Sequence, residues 1–231
     1  TDTSSIQKDK QQLRDVFVPG STSLLSGKAA EQVRRLPGYR QVRQMFVSPD
    51  PELQQIRINC LVDRKELIMS YPALKEGFLR ITPSSVPFRD LGYAVSLKGL
   101  AKYGKKLDMA AVHELDIELF VTTCITVDRS GNQLGDGNGF FDLSYGLLAE
   151  QGGVRSDAAV CTVVGEQQIV ERALPCAPWD VKADFIVTSS EIITTSVDKR
   201  SPGLIYWEFL PEKRIRKITP LWQLHQQKRV T

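Results

Sequence analysis

Histidine is almost missing from this chain, with only His113 and His225 among 231 residues, so a zinc site of the usual His and Cys kind has little to be built from. Cysteine is scarce as well. Cys60, Cys124, Cys161 and Cys176 form no C-x-x-C pair and the first three lie inside apolar runs, a pattern of buried, reduced thiols rather than of a disulfide framework. No apolar run approaches the roughly 20 residues that span a bilayer, and the polar start TDTSSIQKDKQQ is unlike a signal peptide; the expected setting is therefore cytoplasmic, with no membrane partner. Asp128, Ser130 and Asn132 lack the following glycine of a calcium loop. A surplus of one charge is absent too. Thirty basic residues face 27 acidic ones, a net +3, which gives no reason to expect nucleic acid, and the basic clusters at 102–106 and 213–217 read as solvated faces or helix ends. There is no Gly-Lys-Ser/Thr of a Walker loop and no Gly-x-Ser-x-Gly elbow.

What the chain does have is concentrated between residues 117 and 150. Every residue from Leu119 to Val127 is apolar or β-branched and uncharged, the composition of a strand buried on both faces of a parallel sheet. A turn cluster follows at 128–131, and then Gly135, Gly137 and Gly139 alternate with other residues. From Phe140 the spacing becomes helical, with Phe140, Phe141, Tyr145, Leu147 and Leu148 on one face. A strand, a glycine loop and a helix leave free N–H groups at a helix N-terminus, which suits a phosphate. Alternate glycines also serve as a tight-turn device, and Asp142 is equally suited to charging a helix N-terminus or holding a metal. The spacing Gly-x-Gly-x-Gly differs from the dinucleotide fingerprint Gly-x-Gly-x-x-Gly.

The rest of the chain alternates helices and strands. Helices are expected over 4–17, with Ile6, Leu13 and Val16 or Phe17 inward and Lys10 and Arg14 on the opposite, solvated side, then over 27–36, 39–43, 52–61 and 91–103. Strands are expected at 44–47, 66–70, 158–164, 168–171, 183–188, 191–195 and 204–209. Residues 78–86 read as a long irregular loop, 212–218 as a last helical turn, and the tail from Leu221 as frayed at its end. Trp179, Tyr206 and Trp207 read as core rather than as a stacking platform. The predicted fold class is α/β with a mainly parallel sheet, in a single domain over 1–231.

The loop GNQLGDGNGFFDL resembles the phosphate-binding loop of the 5-formyltetrahydrofolate cyclo-ligase family, also called methenyltetrahydrofolate synthetases. The family's Lys-x-x-Leu-Arg opening is matched by Lys10 to Arg14, and its C-terminal signature by Gln168, Pro175, Asp180 and the run Ala183 to Thr188. Asp142-Leu143, the run Phe78 to Pro83 and Pro202 to Trp207 are most similar to the divergent branch named for a methenyltetrahydrofolate synthetase domain, some of whose members carry an RNA-recognition domain. The resemblance implies a three-layer α/β/α fold of the NagB, RpiA and CoA transferase kind, shared with ribose-phosphate isomerases, and an ATP- and Mg2+-dependent closure of 5-formyltetrahydrofolate to 5,10-methenyltetrahydrofolate, or a close variant on another small cofactor. It would give Lys10, Arg14, Gly135, Gly137, Asn138 and Gly139 to the nucleotide, Phe140 and Phe141 to the folate, and Asp142 to magnesium. Asp136 and Leu143 stand where the family carries basic residues, and Lys98, Lys102, Lys105 or Arg129 would have to compensate. The alternative is a catalytically silent relative that binds nucleotide or folate in a regulatory or interaction role.

Overall fold

The structure, a computed structural model, describes residues 3–16, 27–196 and 204–230. Phe17, the expected loop at 18–26, and Pro202 and Gly203 of the C-terminal motif lie outside the described residues.

Chain order runs from α1 (Thr3–Val16) and α2 (Gly27–Val33) to β1 (Gln44–Val47), α3 (Gln54–Val62), β2 (Glu66–Ser70), β3 (Phe78–Ile81), α4 (Leu91–Ala94), α5 (Leu97–Tyr103) and β4 (Lys105–Lys106). It continues through β5 (Ile117–Thr122), β6 (Thr126–Asp128), β7 (Gln133–Leu134), α6 (Phe140–Glu150), β8 (Val154–Val163), β9 (Ile169–Val170), β10 (Phe185–Val187), β11 (Ile192–Thr194), α7 (Glu212–Lys217) and α8 (Thr219–Val230). The main sheet has eight strands in the order β11-β10-β8-β5-β1-β2-β3-β4. The five strands from β10 to β2 are parallel, and the antiparallel β11, β3 and β4 finish its edges.

Period-two alternation within the strands divides the core between two faces. Met45, Val47, Leu67, Met69, Leu119 and Val121 pack with α2, α3, α4 and α5 on one side. Phe46, Ile68, Phe120 and Val160 pack with α6, α7 and α8 on the other. Helices therefore cover both faces, and the three-layer α/β/α arrangement is observed.

Several expectations are corrected. The apolar run 119–127 is two strands rather than one. Gln168 donates its side-chain amide to the carbonyls of Cys124 (2.7 Å) and Ile125 (3.2 Å), which draws the backbone out of the ladder. β6 then joins β7 and β9 in a separate three-stranded sheet. Residues 39–41 form turns and 42–43 are irregular rather than helical, because the Lys65 ammonium takes the carbonyls of Tyr39 and Val42 at 2.7 Å each. The helix expected over 91–103 breaks at Ser96, whose hydroxyl accepts the Gly99 N–H at 3.2 Å and caps α5. Within the supposed loop 78–86, β3 pairs antiparallel with β2 before Pro83 can interrupt it.

At the C-terminus, residues 204–209 hold a 3-10 turn instead of a strand, and the Ile205 N–H goes to the Glu150 carboxylate at 2.7 Å rather than to a strand partner. The tail, for which no helix was expected, forms α8. Leu221 and Leu224 are buried against the second core, and His225 lies 5.4 Å from the Trp207 ring.

Candidate functional site

Strand order sets the location of the site. From β1 the chain builds outward to β2, β3 and β4, whereas from β5 it builds the other way through β8, β10 and β11. The loops leaving β1 and β5 thus diverge, and the crevice at the carboxyl ends of these two neighbours is where an open α/β sheet holds a ligand. A cavity of about 420 Å³ occupies it, lined by Ser48 after β1, Ser70 at the end of β2, and Thr122 and Thr123 at the end of β5. Such a volume suits a small organic molecule.

The glycine loop at 135–139 forms one side of this crevice. β7 feeds it directly, and Gly139, in the left-handed region at φ 59°, caps α6. Gly137 has φ 93°, and a Cβ there would lie 3.3 Å from the guanidinium carbon of Arg14, so both the turn and the close approach require glycine. Asp136 holds the loop to itself, accepting the Asn138 N–H at 2.8 Å and its side-chain amide at 2.7 Å. The N–H groups of Gly137 and Gly139 donate to no other described residue.

A second cavity, of about 210 Å³, lies on the other side of the loop. Gly135, Gly139 and Asp142 line both. Three cations surround the loop on this side. Arg14 donates Nε to the Gly135 carbonyl at 2.8 Å, Arg214 of α7 donates to the Asn138 carbonyl, and Lys10 pairs with Asp180. Trp179, Tyr206 and Phe209 supply aromatic surface, the Trp179 and Phe209 rings lying 4.8 Å apart. Burial lowers the proton affinity of Arg214.

Asp142 accepts the Val181 N–H at 2.8 Å through Oδ1. Burial, and then the like charge of Asp180, push its carboxyl up to about 6. A divalent cation would relieve both effects. Among the described residues no group of three or more His, Cys, Asp and Glu side chains could hold a metal alone, so a cation here would draw its remaining ligands from phosphate oxygens and water. Magnesium binds readily in that way, with one or two carboxylates, and the donor set fits it.

The structure brings all nine residues singled out from the sequence to this loop. Lys10 is not on a solvated face but 4 % exposed and ion-paired. Lys98, Lys102, Lys105 and Arg129 line neither cavity; Lys102 lies 3.8 Å from Asp90 and Arg129 2.8 Å from Glu171. A cation that does line the smaller cavity is Arg214, hidden in a cluster read as solvated. Its one available signal was the neighbouring Ile215, which is buried and holds α7 against the core. Trp179 and Tyr206, read as core, are half-buried cavity lining, whereas Trp207 does pack against the second core. Phe140 and Phe141 line the larger cavity, the Phe141 ring tilted against Phe46 at 6.2 Å between centres.

A sequence model described as the 5-formyltetrahydrofolate cyclo-ligase family matches residues 2–189. The chain is 28% identical over 207 residues to a methenyltetrahydrofolate synthase domain-containing protein of Bos taurus, covering 87% of this chain and 53% of that one. To the protein of the same name from Danio rerio it is 27% identical over 202 residues, covering 85% and 52%. The chain thus spans about half the length of the curated relatives it matches. A solved 5,10-methenyltetrahydrofolate synthetase of Aquifex aeolicus superposes with a TM-score of 0.49 at 19% identity, covering 84% of this chain and 92% of that one.

Proposed function

This chain belongs to the 5-formyltetrahydrofolate cyclo-ligase family, and from that premise we propose that it acts as one catalytic domain, binding ATP in the smaller cavity and transferring the γ-phosphoryl group past the glycine loop to an oxygen of a small molecule in the larger. The observation that carries this reading is the loop's position as common boundary of two unlike cavities, one ringed by Lys10, Arg14 and Arg214 and the other lined by hydroxyls and phenylalanines.

Phosphoryl transfer asks a protein mainly for positioning and charge neutralisation. The N–H groups of Gly137 and Gly139 and the guanidinium groups of Arg14 and Arg214 hold phosphate oxygens, and Trp179 with Tyr206 and Phe209 receives the base. Asp142 and Asp180 hold Mg2+, which supplies neutralisation of the phosphate charge when bound. With 5-formyltetrahydrofolate, the substrate to which the family points, the formyl oxygen attacks the γ-phosphorus and ADP leaves. N10 then closes on the activated carbon and gives up its proton, and phosphate departs carrying that proton, giving 5,10-methenyltetrahydrofolate. Phe141 and Phe46 provide the apolar surface for the ring.

The test mixes purified chain, 5-formyltetrahydrofolate and Mg-ATP and follows methenyl absorbance together with phosphate release. Equal growth of the two supports the proposal; no calorimetric heat from ADP or ATP at millimolar concentration overturns it. A second reading, a silent nucleotide-binding relative, is favoured by Asp136 closing the loop onto Asn138. Under it ADP and ATP bind and no phosphate is released.

A further inference from the structure

Positive charge is unevenly placed along the chain. The segment 87–106 holds Arg89, Lys98, Lys102, Lys105 and Lys106 against the single acid Asp90, a balance of +4 in a chain whose net charge is +3. Taken together, the other residues are slightly acidic. Within the same segment Phe88 is 84 % exposed, Leu97 64 % and Tyr93 about half. Elsewhere on the described surface the large apolar side chains this open are Leu204 and Phe209, which line the smaller cavity, and Val16 and Val62. One exposed leucine needs no explanation, whereas a contiguous apolar group marks an interaction surface.

These side chains share one corner of the fold. Leu91, Ala94, Val95 and Leu100 pack inward on the first core, which turns Tyr93, Leu97, Lys98, Ala101 and Lys102 outward. Helical spacing sets Leu97 and Ala101 in one stripe of α5 and Lys98 and Lys102 in the next. α4 and α5 meet so closely that a Cβ on Gly99 would collide with the Tyr93 carbonyl, so the corner is a fixed frame. The Tyr93 hydroxyl donates to the Lys98 carbonyl at 3.5 Å, and its ring lies 6.5 Å from that of Tyr103. The Tyr103 hydroxyl reaches the Asp90 carboxylate, with the Lys102 ammonium 3.8 Å from it. The turn that carries Phe88 and Arg89 therefore sits beside the end of α5. Asp90 is engaged there, and Glu76 takes Lys106 at 3.1 Å. Arg89, 3.9 Å from Asp90 but 88 % exposed, faces solvent with Lys98 and Lys105.

Apolar side chains standing among cations suit a partner that is negatively charged and able to take an apolar group. The excess of like charge argues against a second copy of this chain on the same face. Four of the five cations are lysine, which is depleted in protein–protein interfaces and abundant on amphipathic helices that lie on lipid headgroups. We propose that this corner docks on an anionic lipid surface, with Phe88 and Leu97 entering the headgroup layer and Arg89, Lys98, Lys102 and Lys105 meeting the lipid phosphates and carboxylates. The contact is peripheral, and no described helix is long and apolar enough to cross a membrane. The expectation of no membrane partner rested on the lack of a spanning run, which a surface contact does not need. None of these residues lines either cavity, so the proposal stands apart from the nucleotide reading.

Co-sedimentation of the full chain with vesicles tests it, using phosphatidylcholine alone and phosphatidylcholine with roughly 30% phosphatidylserine, at low and at physiological salt. The chain should pellet with the anionic vesicles, more of it at low salt, and stay in solution with the neutral ones. Arg89→Glu/Lys98→Glu should lower the partition roughly tenfold or more, because two cations at the surface are replaced by like charge. Phe88→Ser/Leu97→Ser should lower it roughly tenfold through lost apolar contact. Both variants should melt with the parent, since the replaced side chains face solvent. Affinity for heparin without pelleting on anionic vesicles would mark a plain polyanion site and overturn the proposal. Equal pelleting with neutral vesicles, or a partition unchanged in either variant, would overturn it as well.

Discussion

Lys10 of α1 closes a buried ion pair with Asp180, 170 positions away in the sequence. Asp180 also accepts the Ala177 N–H at 2.6 Å, and its charge bears on Asp142. Arg14, one helical turn beyond Lys10, reaches the Gly135 carbonyl, so the pair seats α1 against the glycine loop. Removing only the lysine leaves two buried carboxylates without their cation. Lys10→Met is expected to cost about 3–5 kcal/mol, the usual loss when one partner of a buried pair is deleted. The double variant Lys10→Met/Asp180→Asn should recover part of that. Urea denaturation of the four proteins of the cycle measures the coupling, and additive effects would show that the pair does not seat the helix.

Arg214 contributes through its position over the loop. Its guanidinium lies 5.6 Å from the Phe140 ring centre and reaches the Asn138 carbonyl. Arg214→Met keeps the length of the side chain and removes one charged contact to phosphate, so affinity for ADP should fall roughly tenfold to a hundredfold at a loss of ~1.5–3 kcal/mol. The melting temperature without nucleotide should move little. Calorimetry with ADP and thermal unfolding separate the two effects, and unchanged ADP affinity would take Arg214 out of the nucleotide site.

Legibility in the sequence followed the range of the forces involved. β1 and β2 could be read to the residue because each is a short apolar run bounded by turn residues, and the same holds for the start of α6 at Phe140. The break between β5 and β6 could not, since it is imposed by the Gln168 amide, 44 positions from Cys124. β3 was hidden by Pro83 and the two serines after it, which mark a loop although the strand ends at Ile81. α8 carries Gln223, Gln226 and Gln227 among few apolar residues, so its sequence alone shows no clear helix; its order comes from Leu221 and Leu224 packing on the second core. The loop residues of the site were legible because their backbone needs are local. Arg214, Trp179 and Tyr206 were not, because only the tertiary fold carries α7 and the segments before and after β10 to the same cavity.

Asp136 marks the departure from the family pattern most open to reversal. Its carboxylate holds Asn138 and adds negative charge where a phosphate would sit. Asp136→Arg exchanges repulsion for attraction, and ADP should bind about tenfold or more tightly, at a modest loss of stability of ~1 kcal/mol from the lost loop hydrogen bonds. Asp136→Ala removes the repulsion without adding a cation and should fall between the two. Titration of the three proteins with ADP at two salt concentrations checks the order, and the spread should narrow at high salt. Equal affinities would place the phosphates away from residue 136.

Asp142 makes the stability of the fold depend on pH in a definite direction. Its carboxyl is pushed up to about 6 in the folded chain, from 3.8. The native state then holds the proton more tightly than the unfolded chain does, so the group favours folding below about pH 4. That advantage is lost as pH rises toward 6, leaving a cost of at most roughly 3 kcal/mol above it. Asp142→Asn keeps an oxygen for the Val181 N–H and removes the charge. The variant should melt higher than the parent at pH 7.5, and the two should converge near pH 4. Added Mg-ADP at pH 7.5 should narrow the difference from the other direction, because a cation on Asp142 and Asp180 offsets the cost of burying the carboxylate only in the parent protein. Parallel melting curves across the pH range would show that Asp142 carries no such cost and would remove the electrostatic ground for a cation there.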